Sequence, residues 1–437
     1  MTGDREPIGV IGVGWVGLVT AACFAELGHP VVARDILSEK VESLSRGETT
    51  IHEPGLDELL ARNAERLTFT TDMAEVLDAA RILFVCVDTP PTRSGDADLS
   101  RVRSVVEELR ADGEHALVMK STVPAGTGHS IRRDLPGVPY VSCPEFLKEG
   151  SAVEDFLHPD RVVIGADPGD EAAGDAVARL YEPLGGEIVR TDVASAEMIK
   201  LASNAFLATK ISFVNEIANV CEEVGADVAE VARGMGLDQR IGPAFLRAGI
   251  GYGGSCFPKD LKALKQLAGN TGYHFQLLTA VIEVNELQKR RVVNKLQNRL
   301  GSLAGKRVAL LGLAFKPDTD DMREASSLVL AARLQGEGAE VAAYDPVAAG
   351  AARDLLDGVE FCESALDALD GADAAVLVTE WPEFAELDWA AAAGRMARPL
   401  LIDGRNFLDP GVLKAAGFEY EGIGRAIEGS IPAGTAD

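Results

Sequence analysis

The sequence predicts an α/β protein, with two Rossmann-like doubly wound parallel sheets joined by long central helices. Short apolar segments alternate with helical stretches in the first half, beginning with PIGVIGVGWVGLVTAACFAELGHPVVARDI at residues 7–36. The same strand, turn and helix pattern begins again at GKRVALLGLAFKP, residues 305–317. Such alternation is typical of parallel sheets that are covered by helices.

The remaining elements follow in chain order. The segments RILFVCV, HALVMKST and RVVIGAD, at residues 81–87, 115–122 and 161–167, continue the first sheet. Uninterrupted helical patterns predict long helices over about residues 195–225 and 277–300. The segments AEVAAYDP, ADAAVLVTEW and RPLLIDGRN, at residues 339–346, 372–381 and 398–406, continue the second sheet. The last residues, PAGTAD, are predicted to be disordered.

The composition limits the possible partners and compartments. The 437 residues carry a formal net charge of -26, which repels phosphate backbones, so we expect no nucleic-acid partner. Solubility, a basic partner and a saline cytoplasm all remain as explanations of this charge. The six cysteines show neither disulfide nor zinc spacing, so we expect reduced thiols, no metal and a cytoplasmic protein. The N-terminus, MTGDREP, has no apolar signal core, and no apolar run is long enough to span a bilayer, so we expect no membrane association.

A glycine-rich turn, GVGWVG at residues 12–17, follows the first strand and opens the first helix. Gly12 permits a tight turn, Gly14 lets a pyrophosphate approach the backbone, and Gly17 allows close packing of helix on strand. Asp35 ends the next strand, where a carboxylate accepts from a ribose hydroxyl. This favours NAD over NADP, although the adjacent Arg34 weakens that argument. The alternative is that the glycines serve packing alone.

A second glycine-rich segment, GYGGSCFPKD at residues 251–260, contains a cysteine. Pro258 fits the first turn of a helix, so Cys256 is predicted at or just before the helix start. There the helix dipole and Lys259 favour a reactive thiolate. Asp260 also complements the dipole. The residues alone leave open whether Cys256 is a nucleophile or a buried spacer.

Lys200 and Asn204 lie four residues apart on the predicted 195–225 helix, and therefore on one face. Their neighbours are apolar. Both a solvated lysine and a lysine that points into a site and stabilises an oxyanion are compatible with this spacing.

Together these residues resemble the nucleotide-sugar 6-dehydrogenase family, also called the UDP-glucose/GDP-mannose dehydrogenase family. The resemblance spans nearly the whole chain and rests on several motifs in the same order. The motifs are KSTVPAGT (120–127), CPEFLKEGSAVEDFLHPDRVVIG (143–165), DQRIGPAFLRAGIGYGGSCFPKD (238–260) and LGLAFKPDTDDMREAS (311–326). The cysteine loop and FLHPDRVVIG look more like the branch that acts on UDP-glucose.

The resemblance implies three domains and a homodimer. They are an NAD-binding Rossmann domain at 1–194, a central helical dimerisation domain with the Cys loop at 195–300, and a C-terminal Rossmann-like domain at 301–437 that binds the UDP-sugar. It also implies a four-electron oxidation of the C6 alcohol to a carboxylate with two NAD.

By matching position, the resemblance makes Cys256 the nucleophile. Its thiol would add to the aldehyde as a thiohemiacetal, give up a second hydride and leave a thioester for water to hydrolyse. Lys200 and Asn204 would stabilise the developing oxyanions.

Three further residues match acid–base positions of the family. Asp260 would act with a water as base. Glu145 would assist hydrolysis of the thioester, and Thr122 would help to place the water.

The resemblance also implies residues that bind cofactor and substrate, although a solvated surface charge remains an alternative for each exposed Arg or Lys. The implied NAD contacts are Gly12, Val13, Gly14, Val16, Gly17, Asp35, Lys40, Thr89, Thr122, Glu149, Lys259 and Arg323. The implied substrate contacts are Phe146, Leu147, Lys148, Lys200, Asn204, Arg240, Phe245, Arg247, Tyr252, Gly253, Lys316 and Arg405.

Three positions depart from the family's usual residues: Asp88, Lys148 and Cys143, the last of these standing where Asn is usual.

Three functional hypotheses follow. The first is oxidation of UDP-glucose to UDP-glucuronate, and the second is the same chemistry on GDP-mannose or a UDP-N-acetylhexosamine. The third is a non-catalytic protein that senses nucleotides, against which the presence of all four of Cys256, Lys200, Asn204 and Asp260 argues.

Overall fold

The computed structural model describes residues 5–109 and 114–425. Contacts divide the chain into two compact units, one of Met1–Ser203 with Lys262–His274 and one of Asn204–Leu261 with Phe275–Asp437. The predicted disorder of PAGTAD falls on residues 432–437, outside the described residues.

Within the described residues, the first unit contains an eight-stranded sheet in the order β3-β2-β1-β4-β5-β6-β7-β8. Its inner strands are apolar and buried throughout, as expected for strands that are covered on both faces. The strands are β1 (Ile8–Ile11), β2 (Val31–Arg34), β3 (Leu67–Thr70), β4 (Ile82–Val85), β5 (Ala116–Met119), β6 (Tyr140–Ser142), β7 (Arg161–Ala166) and β8 (Glu187–Thr191).

One strand pair departs from the parallel arrangement that the sequence predicts and that is otherwise found in this sheet. β6 and β7 pair antiparallel, with Val141 opposite Ala166 and Ser142 opposite Gly165, while the other neighbouring strands pair parallel. The sequence of an apolar strand does not indicate whether the strand pairs parallel or antiparallel with its neighbour, because both arrangements bury the same side chains. The direction of β7 was therefore beyond the reach of sequence patterns.

Helices cover this sheet, and an aromatic cluster of Phe24, Phe84, Phe156 and Tyr181 packs in its core. The helices are α1 (Trp15–Glu26), α2 (Ser38–Ser45), α3 (Leu56–Arg62), α4 (Met73–Ala79), α5 (Ser100–Glu108), α6 (Thr127–Asp134), α7 (Ala152–Leu157) and α8 (Glu171–Tyr181). Short 3₁₀ turns lie at Ala64–Arg66 and Glu182–Leu184.

Long helices follow in the middle of the chain. The two predicted at about 195–225 and 277–300 are α9 (Val193–Val224) and α12 (Gln276–Leu300). Between them lie α10 (Val228–Gly236) and α11 (Phe257–Asn270). Among the described residues, no helix is both long and apolar enough to cross a membrane.

The second unit contains a parallel sheet of six described strands in the order β11-β10-β9-β12-β13-β14. Its core, including Val308, Leu310 and Val376, is continuous with apolar residues of α9 and α12 from the same unit. The strands are β9 (Arg307–Leu311), β10 (Glu340–Tyr344), β11 (Val359–Phe361), β12 (Ala374–Leu377), β13 (Leu400–Asp403) and β14 (Glu419–Gly422). The helices are α13 (Ser326–Gly336), α14 (Ala349–Arg353), α15 (Ala365–Leu369), α16 (Pro382–Ala385), α17 (Trp389–Arg395) and α18 (Pro410–Ala415).

Candidate active site

The glycine turn of the first unit has the geometry of a dinucleotide cradle. Gly12 has φ 92°, a left-handed conformation that favours glycine. A Cβ on Gly17 would lie 1.8 Å from the Gly12 carbonyl oxygen, so any side chain there is excluded. At Gly14 the space is open, since the nearest atom to a Cβ would be Asp88 Oδ1 at 3.9 Å. α1 begins at Trp15, so its N-terminal N–H groups face this open space.

Asp35 follows β2 and shapes the same turn. Its Oδ2 accepts from the Val13 N–H at 3.0 Å and from Lys40 Nζ at 3.2 Å. The neighbouring Arg34 donates to Glu108 at 3.0 Å, so its guanidinium is engaged by an acid. This weakens the one argument for NADP, because Arg34 already has a carboxylate partner in place of a 2′-phosphate.

Two further contacts organise the rim of the cradle. Thr89 Oγ1 donates to the Thr122 carbonyl at 2.7 Å, which joins the ends of β4 and β5. Glu53 accepts from Trp15 Nε1 at 3.0 Å and from the Gly150 N–H at 2.8 Å. The segment that contains the buried Glu149 is thereby held against the start of α1.

Glu145 and Lys200 form a buried ion pair in the first unit. Lys200 Nζ lies 2.8 Å from Glu145 Oε1, and the two side chains are 4% and 5% exposed. The other carboxylate oxygen accepts from the Leu147 N–H at 2.6 Å. Burial by itself raises the pKa of Glu145, but the Lys200 ammonium, this N–H and Lys120 outweigh it and hold the pKa below its ordinary value. Glu145 is therefore ionised, and its carboxylate group is held in one orientation by Lys200 and the Leu147 N–H.

Phe146 lies beside this pair, between two cations. The Arg161 guanidinium is 3.8 Å and Lys200 Nζ is 5.4 Å from its ring centroid. Lys148 projects outwards and pairs with Asp155 at 3.1 Å. Of the substrate segment predicted at 146–148, the structure therefore associates Phe146 and Leu147 with the Glu145–Lys200 pair, while Lys148 is exposed.

The cysteine loop lies in the second unit, and α11 begins at Phe257, directly after Cys256. The Cys256 carbonyl accepts from the Asp260 N–H at 2.9 Å, which is the first bond of the helix. Cys256 is partly exposed, and its Sγ lies 3.5 Å from Ser255 Oγ. The thiol therefore lies at a helix N-terminus, as the sequence predicts, and it is not fully buried.

Asp260 occupies the first turn of α11 and is buried. Its Oδ2 accepts from Asn204 Nδ2 at 2.6 Å, and its Oδ1 lies 2.8 Å from Lys259 Nζ. Asn204 therefore contacts the carboxylate predicted as the base. Lys200, one turn earlier on α9, contacts the carboxylate predicted to assist hydrolysis.

The glycines of the loop are required by close backbone approach. A Cβ on Gly253 would lie 2.3 Å from the Glu324 carbonyl oxygen. Gly254 has φ 84°, and its N–H donates to the Arg323 carbonyl at 2.8 Å. A Cβ on Gly254 would also lie 2.7 Å from the Phe315 ring. The loop therefore runs directly against the segment after β9.

Arg405 ties these two segments together. Its guanidinium donates to the carbonyls of Gly251 at 2.9 Å, Phe315 at 3.2 Å and Val378 at 2.7 Å. Arg405 therefore holds the backbone of the cysteine loop next to the backbone at Phe315 and Val378.

The other predicted substrate residues of the second unit have different surroundings. Tyr252 is buried and packs edge-on against Phe257, with ring centroids 5.6 Å apart. Phe245 has a left-handed φ of 63° and lies 6.3 Å from the same ring. Arg240 is strongly exposed and pairs with Asp238 at 2.6 Å, so the contacts within its unit assign it no site.

Three family models match the chain in order. They are the NAD-binding domain of the UDP-glucose/GDP-mannose dehydrogenase family at residues 6–185, its central domain at 194–287 and its UDP-binding domain at 309–410.

The chain belongs to the UDP-glucose/GDP-mannose dehydrogenase family.

Curated relatives and a solved structure agree with this assignment. The chain is 45% identical over 440 residues to a UDP-glucose 6-dehydrogenase of Bacillus subtilis, covering 98% of this chain and 95% of the relative. It is 47% identical over 451 residues to a UDP-glucose 6-dehydrogenase of Pseudomonas aeruginosa, covering 98% and 99%. The structure of a UDP-glucose dehydrogenase from Pyrobaculum islandicum has a TM-score of 0.89 at 39% identity, covering 98% and 99%.

This family member is thus an NAD-dependent oxidoreductase, and the first unit fits the cofactor. Gly12, Gly14 and Gly17 give the close backbone approach that a pyrophosphate needs, and α1 supplies N–H groups. Asp35 directly follows β2, at the strand end that binds ribose hydroxyls in Rossmann domains. The predictions of family, fold and cofactor are confirmed.

The second sheet has a related turn with a different set of contacts. Asp345 follows β10 as Asp35 follows β2, but it accepts from the Leu313 N–H at 2.7 Å, the Ala314 N–H at 3.1 Å and Trp381 Nε1 at 3.1 Å. Ala314 stands where the first unit has its second glycine. One oxygen of Asp345 thus accepts from three donors, which are different groups from those that contact Asp35.

Several residues around the cysteine loop escaped sequence reasoning. Asn285 accepts from the Tyr252 N–H at 2.8 Å and donates to the Tyr252 carbonyl at 3.1 Å. Gln288 donates to the Gly249 carbonyl at 2.9 Å, and Asn215 accepts from the Gly249 N–H at 2.9 Å. Buried amides on otherwise apolar helix faces were the available signal, but their partners are distant in sequence.

Proposed function

We propose that this enzyme oxidises UDP-glucose to UDP-glucuronate, and that Cys256 captures the halfway aldehyde. The observation that carries the proposal is a partly exposed thiol at the N-terminus of α11, four residues before a buried Asp260 that is held by Asn204 and Lys259. Identity of 45% and 47% to curated UDP-glucose 6-dehydrogenases over 98% of the chain supports the choice of sugar.

The first oxidation needs a base for the C6 hydroxyl proton. We assign this role to Asp260 acting with a water. Asn204 donates to Asp260 Oδ2, and an N–H donor at this position also stabilises a developing alkoxide. Bound NAD supplies the hydride acceptor for this oxidation and for the second one.

The aldehyde is then held on sulfur. The Cys256 thiolate adds to its carbonyl carbon, and the thiohemiacetal loses a hydride to leave a thioester. The α11 N-terminus favours the thiolate through the helix dipole. Lys200, an ammonium on a buried stem, is assigned to the oxyanions that form during addition and hydrolysis.

Hydrolysis of the thioester releases the carboxylate product and regenerates the thiol. Glu145 is kept anionic by Lys200 and is oriented by the Leu147 N–H, so it is suited to accept a proton from the attacking water. Thr122, whose carbonyl is fixed by Thr89, is assigned to the placement of that water.

The remaining predicted contacts complete the proposal. Lys40, Thr89, Glu149, Lys259 and Arg323 contribute to NAD binding alongside the glycine turn. Phe146, Leu147, Lys148, Arg240, Phe245, Arg247, Tyr252, Gly253, Lys316 and Arg405 contribute to UDP-sugar binding. Lys316, Arg247 and Arg405 would supply the positive potential that a diphosphate needs in so acidic a chain.

The division into domains at residues 1–194, 195–300 and 301–437 is part of the same proposal, as is a homodimer. α9 presents Phe206, Phe213 and Val220 at seven-residue spacing, and they are 66%, 50% and 57% exposed in the single chain. An apolar stripe with this period lies on one helix face and suits a second copy of the same helix. Sedimentation analysis of Phe213→Glu should show a monomer, and an unchanged mass would argue against this face.

We also propose that the enzyme works in the cytoplasm. The six cysteines, which all lie within the described residues, form no disulfide, as a reducing compartment would keep them.

The proposal is tested by counting NADH. Purified enzyme with limiting UDP-glucose should yield about two NADH per sugar, because both oxidations occur before release. Cys256→Ser should retain NAD binding and block the second oxidation. Faster turnover of GDP-mannose or a UDP-N-acetylhexosamine would change the substrate, and binding without turnover of any nucleotide sugar would favour a sensor.

A further inference from the structure

A second buried lysine lies close to the Glu145–Lys200 pair. Lys120 directly follows β5 and is only 3% exposed. Its Nζ donates to the Tyr181 hydroxyl at 3.0 Å and lies 5.4 and 5.6 Å from the ring centroids of Tyr181 and Phe156. Lys200 has a carboxylate partner, whereas the hydrogen-bond acceptor of Lys120 is a neutral phenol. A buried cation with so weak a partner is costly, and this calls for an explanation.

The register of β5 and β6 places Lys120 close to the segment that contains Glu145. β5 and β6 are parallel, with Met119 opposite Ser142, so Lys120 and Cys143 emerge side by side at the carboxyl edge. The Cys143 N–H donates to the Met119 carbonyl at 2.9 Å. Active sites of such sheets lie at this edge.

Tyr181 connects the surroundings of the two emerging side chains. Lys120 donates to the Tyr181 oxygen at 3.0 Å, and the Tyr181 phenol and the buried Cys143 thiol also interact. Cys143 is fully buried and is followed by Pro144 and Glu145. These contacts therefore end two residues before the carboxylate.

The thiols and the phenol that interact with Lys120 are neutral and do not offset its positive charge. It acts on Glu145 and on three buried thiols, Cys23, Cys86 and Cys143. Burial raises the pKa of each thiol, to about 12 for Cys86, so all three stay neutral near pH 7. Burial also raises the pKa of the Tyr181 phenol, which stays neutral as well.

Glu145 therefore faces two cations, Lys200 from α9 and Lys120 from the end of β5. Charges in a poorly solvated interior attract over longer distances than they do in water. Lys200 is also proposed to stabilise the oxyanions of the substrate, so its charge interacts with both Glu145 and the substrate during the reaction. Lys120 has no such proposed role towards the substrate.

We propose that Lys120 is a positioning residue for Glu145, which fixes the Cys143–Glu145 turn through Tyr181 and supplies a constant positive charge to the carboxylate. The inference rests on the role proposed above for Glu145 in thioester hydrolysis. It also gives a setting for Cys143, whose thiol interacts with the Tyr181 phenol.

The test is a double-mutant cycle of Lys120→Met and Glu145→Gln in the full chain, with Lys265→Met as an exposed-lysine control. Single-turnover rates of thioester hydrolysis are measured with UDP-glucose and NAD from pH 4 to 8.5. In Lys120→Met the acidic limb should move to higher pH, so hydrolysis slows severalfold at the low end of the range and is unchanged at the high end. NAD affinity and the first NADH burst should not change. In the Glu145→Gln background, Lys120→Met should have no further effect.

Equal slowing in both backgrounds, or an unmoved acidic limb, would overturn the inference. Thermal unfolding checks for gross structural damage: Met fills the same space as the lysine stem, so Lys120→Met should still unfold in one cooperative transition. Tyr181→Phe retains the lysine and the ring, and should shift the limb in the same direction by less. If wild-type enzyme makes no NADH, the proposed function fails. The carboxylate is then titrated by infrared difference spectra against Glu145→Gln, where an equal midpoint in wild type and Lys120→Met would refute this proposal separately.

Discussion

Glu197 is a buried carboxylate whose titration should be visible in the stability of the first unit. It lies on α9, one turn before Lys200, and is 2% exposed. Its oxygens accept from the Gly126 N–H at 2.7 Å and the Gly128 N–H at 2.8 Å, at the start of α6. Burial raises its pKa from 4.5 to about 7, although these N–H groups and the Tyr140 hydroxyl pull the pKa down. It remains protonated well above the pH at which the unfolded chain ionises.

The sign and size of the effect follow by linkage. Because the folded pKa is the higher one, the folded state binds the proton more tightly, and the stability is fully present below pH 4.5. That stability is lost as the pH rises towards about 7. At about 1.4 kcal/mol per pKa unit, the loss between pH 5 and pH 8 is about 2 to 3 kcal/mol.

The perturbation is Glu197→Gln, which removes the titration while an amide oxygen still accepts from Gly126 or Gly128. Calorimetric unfolding of the full chain is compared at pH 5 and pH 8. Wild type should lose about 5 to 10 °C relative to the variant over this range, for a unit of about 200 residues. Amide exchange at Gly126 and Gly128 should show the same trend.

Glu75→Gln, an exposed change in the same unit, is the matched control and should leave the pH dependence of wild type intact. Parallel melting curves for wild type and Glu197→Gln at both pH values would refute the reasoning. So would a difference that grows in favour of wild type as the pH rises.

Two further predictions concern the cofactor turn and the buried ion pair. Gly17→Ala should weaken NAD binding at least tenfold in fluorescence titrations, because the alanine Cβ would lie 1.8 Å from the Gly12 carbonyl oxygen. Unchanged affinity would show that the turn can move to accommodate the side chain. Lys200→Met should destabilise the folded state by about 3 to 5 kcal/mol, since it leaves Glu145 buried without its partner. Lys148→Met, which breaks an exposed pair, should cost at most about 1 kcal/mol, and equal losses in denaturant titrations would contradict the assignment.

Local patterns were sufficient for much of the fold. The long helices predicted at about 195–225 and 277–300 are found at Val193–Val224 and Gln276–Leu300. Cys256 was placed at a helix start because proline and the following apolar spacing mark that start, and α11 begins at the next residue. These features depend on neighbours within a few residues, which is the range over which sequence patterns act.

The candidate site was only partly accessible in the same way. The spacing of Lys200 and Asn204 on one helix face could be predicted, but not that the first contacts Glu145 and the second Asp260. Each of these partners lies more than fifty residues away in the sequence. Which polar groups meet is decided when helices pack on a sheet.

The sequence by itself determined the two Rossmann-like sheets, the NAD turn, the family and the position of the thiol, because each of these is written in short-range spacing. Tertiary structure alone decided the antiparallel step between β6 and β7 and the partner of every buried charge. Strand direction and charge pairing depend on the register and packing of distant segments. The two buried lysines illustrate this, because only the folded chain gives Lys200 a carboxylate and Lys120 a phenol.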